Sequence, residues 1–194
     1  MKSRYFSNLL KPLNLLLILF ILGLAACTDD DDDSVDNTPG INPNEEELIT
    51  SIEVIMNDTA NATIDTFRFR DPDGDGGNIP VIDSIIINSN TTYLVNLRFL
   101  DESDPNDVED ITVEVKDEDD EHLVCYEVTP AMAITINRTD TDGTYELGLE
   151  SDWQTFGAQS GRVEISLKHQ PGVKDGSCSP GETDVQVAFP FRIQ

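Results

Sequence analysis

The chain has 194 residues, of which 38 are acidic and only 12 are basic, and its formal net charge at pH 7 is −26. A surface this acidic cannot neutralise phosphates, so the composition excludes nucleic acid as an expected partner. Residues 48–194 suffice for one domain with a substantial core, but they leave no room for two large domains.

The N-terminus has the pattern of a bacterial lipoprotein signal peptide. Basic residues precede the apolar run 15–22, and the lipobox Leu24-Ala25-Ala26-Cys27 follows it. Small residues at this position fit a peptidase that cuts before a cysteine. The alternative, a transmembrane anchor, is disfavoured because the run is well short of the roughly 20 apolar residues that span a bilayer. We therefore expect residues 1–26 to be removed and Cys27 to carry the N-terminal lipid.

Residues 27–47 have the composition of an acidic, flexible tether. Five consecutive aspartates, Asp29 to Asp33, lie just behind Cys27, and such a run stays solvated. Its position resembles the export signal that sends lipoproteins of the Bacteroidota to the outer face of the outer membrane. This resemblance predicts a lipid-anchored outer-membrane protein exposed at the cell surface. The alternative is an anchored protein that faces the periplasm.

The domain from residue 48 onward has the pattern of short β-strands, rich in Ile, Val, Phe and Thr and often alternating apolar with polar. Asp73-Gly74, Asp142-Gly143 and Asp175-Gly176 are turn signals between them. The pattern predicts an all-β fold over 48–194, an antiparallel β-sandwich with immunoglobulin-like Greek-key connections, and a barrel is the alternative. The predicted strands are 48–56, 64–70, 81–88, 93–100, 122–129, 133–137, 145–150, 162–168 and 185–193.

Segment 108–121 is ambiguous because its apolar residues fit two periodicities. Ile111, Val113 and Val115 alternate as in a strand, whereas Val108, Ile111 and Val115 share one helical face. We expect a short helix or an irregular acidic crossover that leads into the next strand.

One loop has the composition of a calcium site. Carboxylates at alternate positions with glycines between them can turn several oxygens towards one hard cation, as in the first half of an EF-hand loop. The match is incomplete, because Ile82 stands where the bidentate glutamate would be. The alternative is a surface turn in which Asp and Gly serve the backbone. The predicted Ca²⁺ ligands are Asp71, Asp73, Asp75, Asn78 and Asp83.

The sequence contains no catalytic constellation that stands out from chance. His122 and His169, the only two histidines, show no spacing typical of zinc ligands, so each is expected at the surface or at a strand end. No Gly-x-Ser-x-Gly nucleophile elbow occurs. Trp153 and Phe156 could form an aromatic platform for a ligand, but packing in the core or at an edge is the expected use. We therefore expect a protein that is not an enzyme.

The remaining cysteines predict a disulfide. Once Cys27 carries lipid, Cys125 and Cys178 are the only cysteines left. An even number in an oxidising compartment favours a bond between them, and the alternative is two free thiols.

Several motifs across the mature chain together resemble a family of small Bacteroidota lipoproteins. They are the aspartates after Cys27 and the segments 44–50, 69–78, 90–93, 109–112, 167–171 and 181–184. Members are often labelled as type 1 periplasmic binding fold proteins, although a β-rich chain of this length cannot contain that two-lobed α/β fold. Cys125 and Cys178 depart from the family pattern.

The resemblance implies an outer-membrane or surface lipoprotein of uncharacterised role that accompanies a TonB-dependent receptor or another outer-membrane complex, and the family has no assigned enzymatic activity to carry over. The predicted role is therefore a non-catalytic accessory or binding subunit with an outer-membrane protein as partner. The alternative is a calcium-dependent lipoprotein that captures a ligand and hands it to a transporter.

Overall fold

The computed structural model describes residues 47–74 and 76–194. The predicted signal peptide, Cys27 and the tether up to residue 46 lie outside the described residues, as does Asp75. In the described part of the chain, no helix has both the length and the apolar composition needed to cross a membrane. The elements are β1 (Ser51–Asp58), β2 (Thr63–Arg70), β3 (Val81–Ile82), β4 (Ile85–Ile87), β5 (Thr92–Leu100), α1 (Thr112–Asp117), β6 (His122–Thr129), β7 (Ile134–Arg138), β8 (Glu150–Thr155), β9 (Gln159–His169) and β10 (Glu182–Ile193).

The strands form two sheets that share one core, so the prediction of an all-β sandwich is confirmed. One sheet has the order β3-β2-β1-β5-β8-β7, and the other has the order β4-β10-β9-β6. Neighbouring strands are antiparallel except for β4 and β10, which run parallel. Because the sheets are separate, the alternative of a closed barrel does not apply.

The core follows from the alternation of side chains along the strands. In β1 the residues Ile52, Val54 and Met56 point inward, and in β9 the inward residues are Val163, Ile165 and Leu167; all six are buried in one cluster. Each fully buried aliphatic side chain of this size contributes about 1.5–3 kcal/mol to folding. Burial of two facing sets of such residues holds the sheets together.

Trp153 lies in the core, as expected from its size. Its side chain is fully buried, and its indole Nε1 donates a hydrogen bond of 2.9 Å to Ser151 Oγ. The ring meets that of Tyr126 edge to face at a centroid distance of 5.8 Å. Phe156, in contrast, is partly exposed.

The predicted strand 81–88 is wrong in one respect, because the chain changes sheets in its middle. Val81 pairs with Arg70 of β2, whereas Ile85 pairs with Phe191 of β10 in the other sheet. Asp83 marks the break: its Oδ2 accepts a hydrogen bond of 2.9 Å from the backbone N–H of Arg68. At this point the Asp83 carboxylate, and not a backbone carbonyl, accepts the hydrogen bond from β2.

The predicted strand 145–150 is also wrong, since the strand here is β8, which begins at Glu150. Gly148 has a φ of 92°, which interrupts an extended strand. The segment instead links the two sheets: the carbonyl of Leu147 accepts from Val124 N–H of β6 at 2.7 Å, and that of Leu149 accepts from Leu97 N–H of β5 at 2.9 Å. Tertiary packing of Leu147 and Leu149 therefore overrides local periodicity.

The ambiguous segment 108–121 contains the short helix α1, which leads into β6 as predicted. Thr112 Oγ1 accepts a hydrogen bond of 2.9 Å from Phe99 N–H and donates one of 3.2 Å to the Phe99 carbonyl. Val115 is fully buried. These contacts attach the helix to β5.

A disulfide joins Cys125 of β6 to Cys178 in the loop between β9 and β10, with 6.0 Å between the Cα atoms. The bond attaches this loop to the four-stranded sheet. Within the loop, Gln170 Nε2 donates hydrogen bonds of 3.0 Å to the Ser177 carbonyl and 2.9 Å to the Pro180 carbonyl.

Candidate metal centre

The two histidines meet at one end of the four-stranded sheet. His122 is the first residue of β6 and His169 is the last residue of β9, and the antiparallel register pairs them directly. Their rings stack nearly parallel, with a centroid distance of 4.8 Å and an interplanar angle of 7°. The strand register therefore holds two imidazoles side by side.

The expectation of a surface position for these histidines is wrong, whereas a strand-end position is correct. Both side chains are buried. Glu118, at the C-terminal end of α1, and Glu47, in the segment before β1, lie close to the two rings and contribute to their burial. The ligand atoms of Glu47, Glu118, His122 and His169 all lie within 4.8 Å of one another. We call these four residues the His/Glu cluster.

Hydrogen bonds orient the ring of His122. Its Nδ1 lies 3.1 Å from the backbone carbonyl oxygen of Glu118, and because a carbonyl can only accept, Nδ1 must be the donor. Its Nε2 lies 3.1 Å from Glu47 Oε1. Nε2 therefore faces the carboxylate of the segment that enters the domain.

The electrostatic surroundings favour the charged forms of His122 and Glu47. Burial lowers the pKa of His122, but the hydrogen bond and charge of Glu47, together with the Glu118 carbonyl and Asp184, outweigh it and raise this pKa above its usual value. Burial also opposes ionisation of Glu47, yet the hydrogen bond to His122 and its charge lower the pKa of that carboxyl. The two residues form a buried ion pair.

Glu118 behaves differently from Glu47. Burial raises its pKa, and the charges of Glu114, Glu47 and Glu121 act in the same direction, although His122 partly compensates. Several carboxylates close together favour retention of a proton or binding of a cation.

Two buried atoms of the cluster have unused hydrogen-bonding capacity. Within the part of the chain that the structure describes, neither His169 Nε2 nor Glu47 Oε2 makes a hydrogen bond. Glu121 Oε2 lies 3.6 Å from His169 Nε2, within ion-pair range but beyond hydrogen-bond distance. A buried polar atom without a partner costs about 1–3 kcal/mol. Imidazole nitrogens and carboxylate oxygens are also the ligands that zinc and similar metals use.

The loop predicted to bind calcium shows contacts expected of a turn. Asp73 Oδ2 accepts hydrogen bonds from the backbone N–H of Asn78 at 2.8 Å and from its Nδ2 at 2.7 Å. A Cβ at Gly77 would lie 2.2 Å from that oxygen, so a larger residue there would displace the Asp73 carboxylate. Asp83 Oδ2 accepts a hydrogen bond from the backbone N–H of Arg68. The structure thus brings Asp73 and Asn78 together and uses Asp83 for strand pairing.

Among the described residues of this loop, Asp71 has the side chain best suited to bind a cation. Its Oδ1 is buried and makes no hydrogen bond to any described residue, while its backbone N–H donates a hydrogen bond of 2.8 Å to the Thr50 carbonyl. Asp75 lies outside the described residues. Calcium binding by the loop stays a prediction.

Sequence reasoning missed the His/Glu cluster because its members are distant along the chain. The one local signal is the spacing of Glu118 and His122, four residues apart, which is weak by itself. His169 joins them only through the register of β9 against β6, and Glu47 only through the path of the chain before β1.

Fold and site together define an all-β sandwich domain with a buried cluster of histidines and carboxylates at one end. Comparison with known proteins adds no relative: no family model matches the chain, and neither a curated protein nor a solved structure shows significant similarity to it.

Proposed function

We propose that the chain is a lipid-anchored lipoprotein of the outer membrane, exposed at the cell surface, that serves as a non-catalytic binding subunit of an outer-membrane complex such as one built on a TonB-dependent receptor. The lipobox at 24–27 and the aspartates behind it support the anchor and the location. The resemblance to small Bacteroidota lipoproteins supports the role. The observation that carries the proposal is an open sheet edge at β2.

Strand β2 has one edge that is paired only at its C-terminal end. The short β3 pairs with Phe69 and Arg70, and the Arg68 carbonyl accepts a hydrogen bond of 2.9 Å from Asp83 N–H. Backbone groups of alternate residues point to the same side of a strand, so those of Thr66 and Ile64 point the same way as those of Arg68. In the described residues, no strand pairs with them.

The side chains along this edge suit a protein partner. Ile64 of β2 and Val81 and Ile82 of β3 are exposed, as is Ile79 before β3. Unpaired backbone groups together with exposed apolar side chains are the features that bind an added strand. The edge of β10 in the other sheet differs from the edge of β2. The β10 edge carries Pro190 and is partly covered by β4.

The test is a pull-down of the lipidated chain from detergent-solubilised outer membranes, with the variant Thr66→Pro. Proline removes the N–H that points to the open edge and leaves the pairing of β2 with β1 intact. We expect the parent chain to recover a stoichiometric outer-membrane protein, and Thr66→Pro to recover at least tenfold less. Thr66→Val keeps the N–H and should bind as the parent does.

Each part of the proposal can fail separately. Recovery of an equal amount of partner by Thr66→Pro would show that the edge of β2 is not the docking surface. Recovery of no protein partner, with a small ligand retained in a calcium-dependent manner, would replace the accessory role by ligand capture.

A further inference from the structure

We propose that Glu47, Glu118, His122 and His169 bind one divalent transition-metal ion, and that Zn²⁺ fits their donor atoms best. In a tetrahedral zinc site with metal–ligand distances near 2.1 Å, the ligand atoms are about 3.4 Å apart. Here they lie within 4.8 Å of one another. Because the two imidazole rings are stacked nearly parallel, binding of one ion requires side-chain rotations that shorten these distances and tilt the rings until their nitrogen lone pairs converge.

Buried atoms with unused hydrogen-bonding capacity point to a ligand at this place. His169 is only 5 % exposed, and among the described residues its Nε2 and Glu47 Oε2 make no hydrogen bond, Glu121 Oε2 being 3.6 Å from this Nε2. Native proteins rarely leave such atoms unpaired in the interior. A metal ion between them would satisfy both, since a ring nitrogen and a carboxylate oxygen are both electron-pair donors.

The ring of His122 is held in the orientation of a metal ligand. Its Nδ1 donates to the Glu118 carbonyl at 3.1 Å, which leaves the lone pair of the neutral ring on Nε2. Metal-bound histidines are commonly fixed in this way by a backbone carbonyl. Nε2 faces Glu47 Oε1 at 3.1 Å, so a proton or a metal ion has to lie between these two acceptors.

The donor set selects against calcium and magnesium. Those ions prefer six or more oxygen ligands, whereas two imidazole nitrogens and two carboxylates favour Zn²⁺ and its first-row neighbours. Glu121 and Asp184 lie near the histidines and add negative charge that attracts a cation. The cluster is thus chemically distinct from the acidic loop around Asp73.

The site would connect the N-terminal segment of the domain to the four-stranded sheet. Glu47 lies in the segment before the first strand, whereas His122 and His169 are on β6 and β9 of the four-stranded sheet. A metal ion coordinated by all of them would fasten the start of the domain to that sheet and to the end of α1. The proposed role of the site is therefore structural: the metal ion would cross-link the start of the domain to the four-stranded sheet.

The experiment is a titration of the full chain, purified in detergent and stripped with a chelator, with Zn²⁺ in competition with a chromophoric chelator. We expect about one tightly bound equivalent, consistent with a single four-ligand site. Co²⁺ in place of Zn²⁺ should give the strong visible bands of four-coordinate cobalt. Glu47→Gln and His169→Gln should each weaken Zn²⁺ binding at least tenfold.

Glu127→Gln is the matched control, because Glu127 is an exposed carboxylate on the same strand as His122 and its loss should leave Zn²⁺ affinity unchanged. Circular dichroism checks the fold of the buried His169 variant, and Glu47→Gln tests the site without altering the apolar core. The proposal is overturned if the stripped chain binds no stoichiometric Zn²⁺. It is equally overturned if Glu47→Gln binds as the parent does, or if Ca²⁺ at matched ionic strength displaces the metal.

Discussion

At the scale of single residues, a nearly buried ion pair fixes two loops. Lys174 Nζ lies 2.7 Å from Asp142 Oδ2, with side chains only 3 % and 4 % exposed, and it also donates 2.6 Å to the Asp119 carbonyl. Asp142 Oδ1 accepts from the N–H groups of Thr144 and Tyr145, both at 2.6 Å. Burial opposes ionisation of Asp142, but these hydrogen bonds and the charge of Lys174 lower its pKa to about 2.

This depressed pKa predicts a pH dependence of stability. The ionised Asp142 stabilises the folded chain above its ordinary pKa near 3.8, and the contribution is lost as the pH falls towards 2. The unfolding free energy of the parent should therefore exceed that of Asp142→Asn by a margin that depends on pH. This margin should be about 1–2 kcal/mol larger at pH 5 than at pH 2. Denaturant titrations of both proteins across this range measure the difference. A difference that does not change with pH would contradict the prediction.

The acidic loop supports a second prediction at the residue scale. Asp71 Oδ1 has no hydrogen-bond partner among residues 47–74 and 76–194, so calcium bound by Asp71, Asp73 and Asp75 would satisfy it. Without an in-register glutamate the dissociation constant should be roughly 10⁻⁴–10⁻³ M. At ten times that concentration, calcium should add about 1.4 kcal/mol of stability, measured as a rise in Tm.

The controls separate calcium binding from general screening of an acidic chain. Asp71→Asn and Asp75→Ala should lose the calcium response, and all melts are run at matched ionic strength because any divalent salt screens repulsion. If magnesium raises Tm as much as calcium does, the loop is only a turn.

At the scale of elements, the disulfide is the strongest link between the loop after β9 and strand β6. Cys125 and Cys178 are 53 residues apart in sequence. In the chain-entropy model, a closed loop of this length contributes about 4 kcal/mol by restricting the unfolded chain. Cys178→Ser should lower the unfolding free energy by about that amount in denaturant titrations.

The two cysteine variants should not be additive. Either one breaks the same bond, so Cys125→Ser combined with Cys178→Ser should cost little more than the costlier single change. Stoichiometric labelling of both thiols in the unreduced, unfolded parent protein would show that no bond forms.

The edges of the sheets also belong to this scale. Asp83 ends β3 by accepting from Arg68 N–H, and the chain then crosses to β10 in the other sheet. The crossing leaves the edge of β2 that faces away from β1 without a paired strand over its N-terminal part, within the described residues. The same side-chain contact that ends β3 therefore creates the edge on which the proposed partner docks.

At the scale of the whole molecule, the proposed lipid anchor and acidic tether would decide where the domain is held. Cys27→Ser should abolish lipidation, so the protein should be soluble or keep its signal peptide. The unaltered protein on intact cells should be degraded by added protease. Replacement of Asp29 to Asp33 by alanine should protect it, because the predicted surface-export signal is removed. Fractionation and immunoblotting measure both outcomes.

Two results would contradict this arrangement. Processed Cys27→Ser protein that still fractionates with the outer membrane would mean that lipid is not the anchor. Resistance of the unaltered protein to protease on intact, unencapsulated cells would place the domain on the periplasmic face.

The amino-acid sequence by itself determined the properties that depend on near neighbours. Period-two alternation, as in the core residues Val187, Phe189 and Phe191 of β10, identified most of the strands. The turn at Asp142-Gly143 is local in the same sense, whereas segment 108–121, which contains α1, fitted two periodicities. Cysteine pairing was accessible as well, because parity leaves Cys125 only one partner once Cys27 is assigned to lipid.

Tertiary structure alone decided the features that depend on register and on the path of the chain. His122 and His169 are 47 positions apart in number and meet only because β6 and β9 pair with these residues opposite each other. Leu147 and Leu149 alternate like a strand, yet they link two sheets because burial in the core outweighs local preference. Strand pairing joins distant segments by backbone hydrogen bonds that every residue except proline can donate, so no local pattern encodes which side chains it brings together.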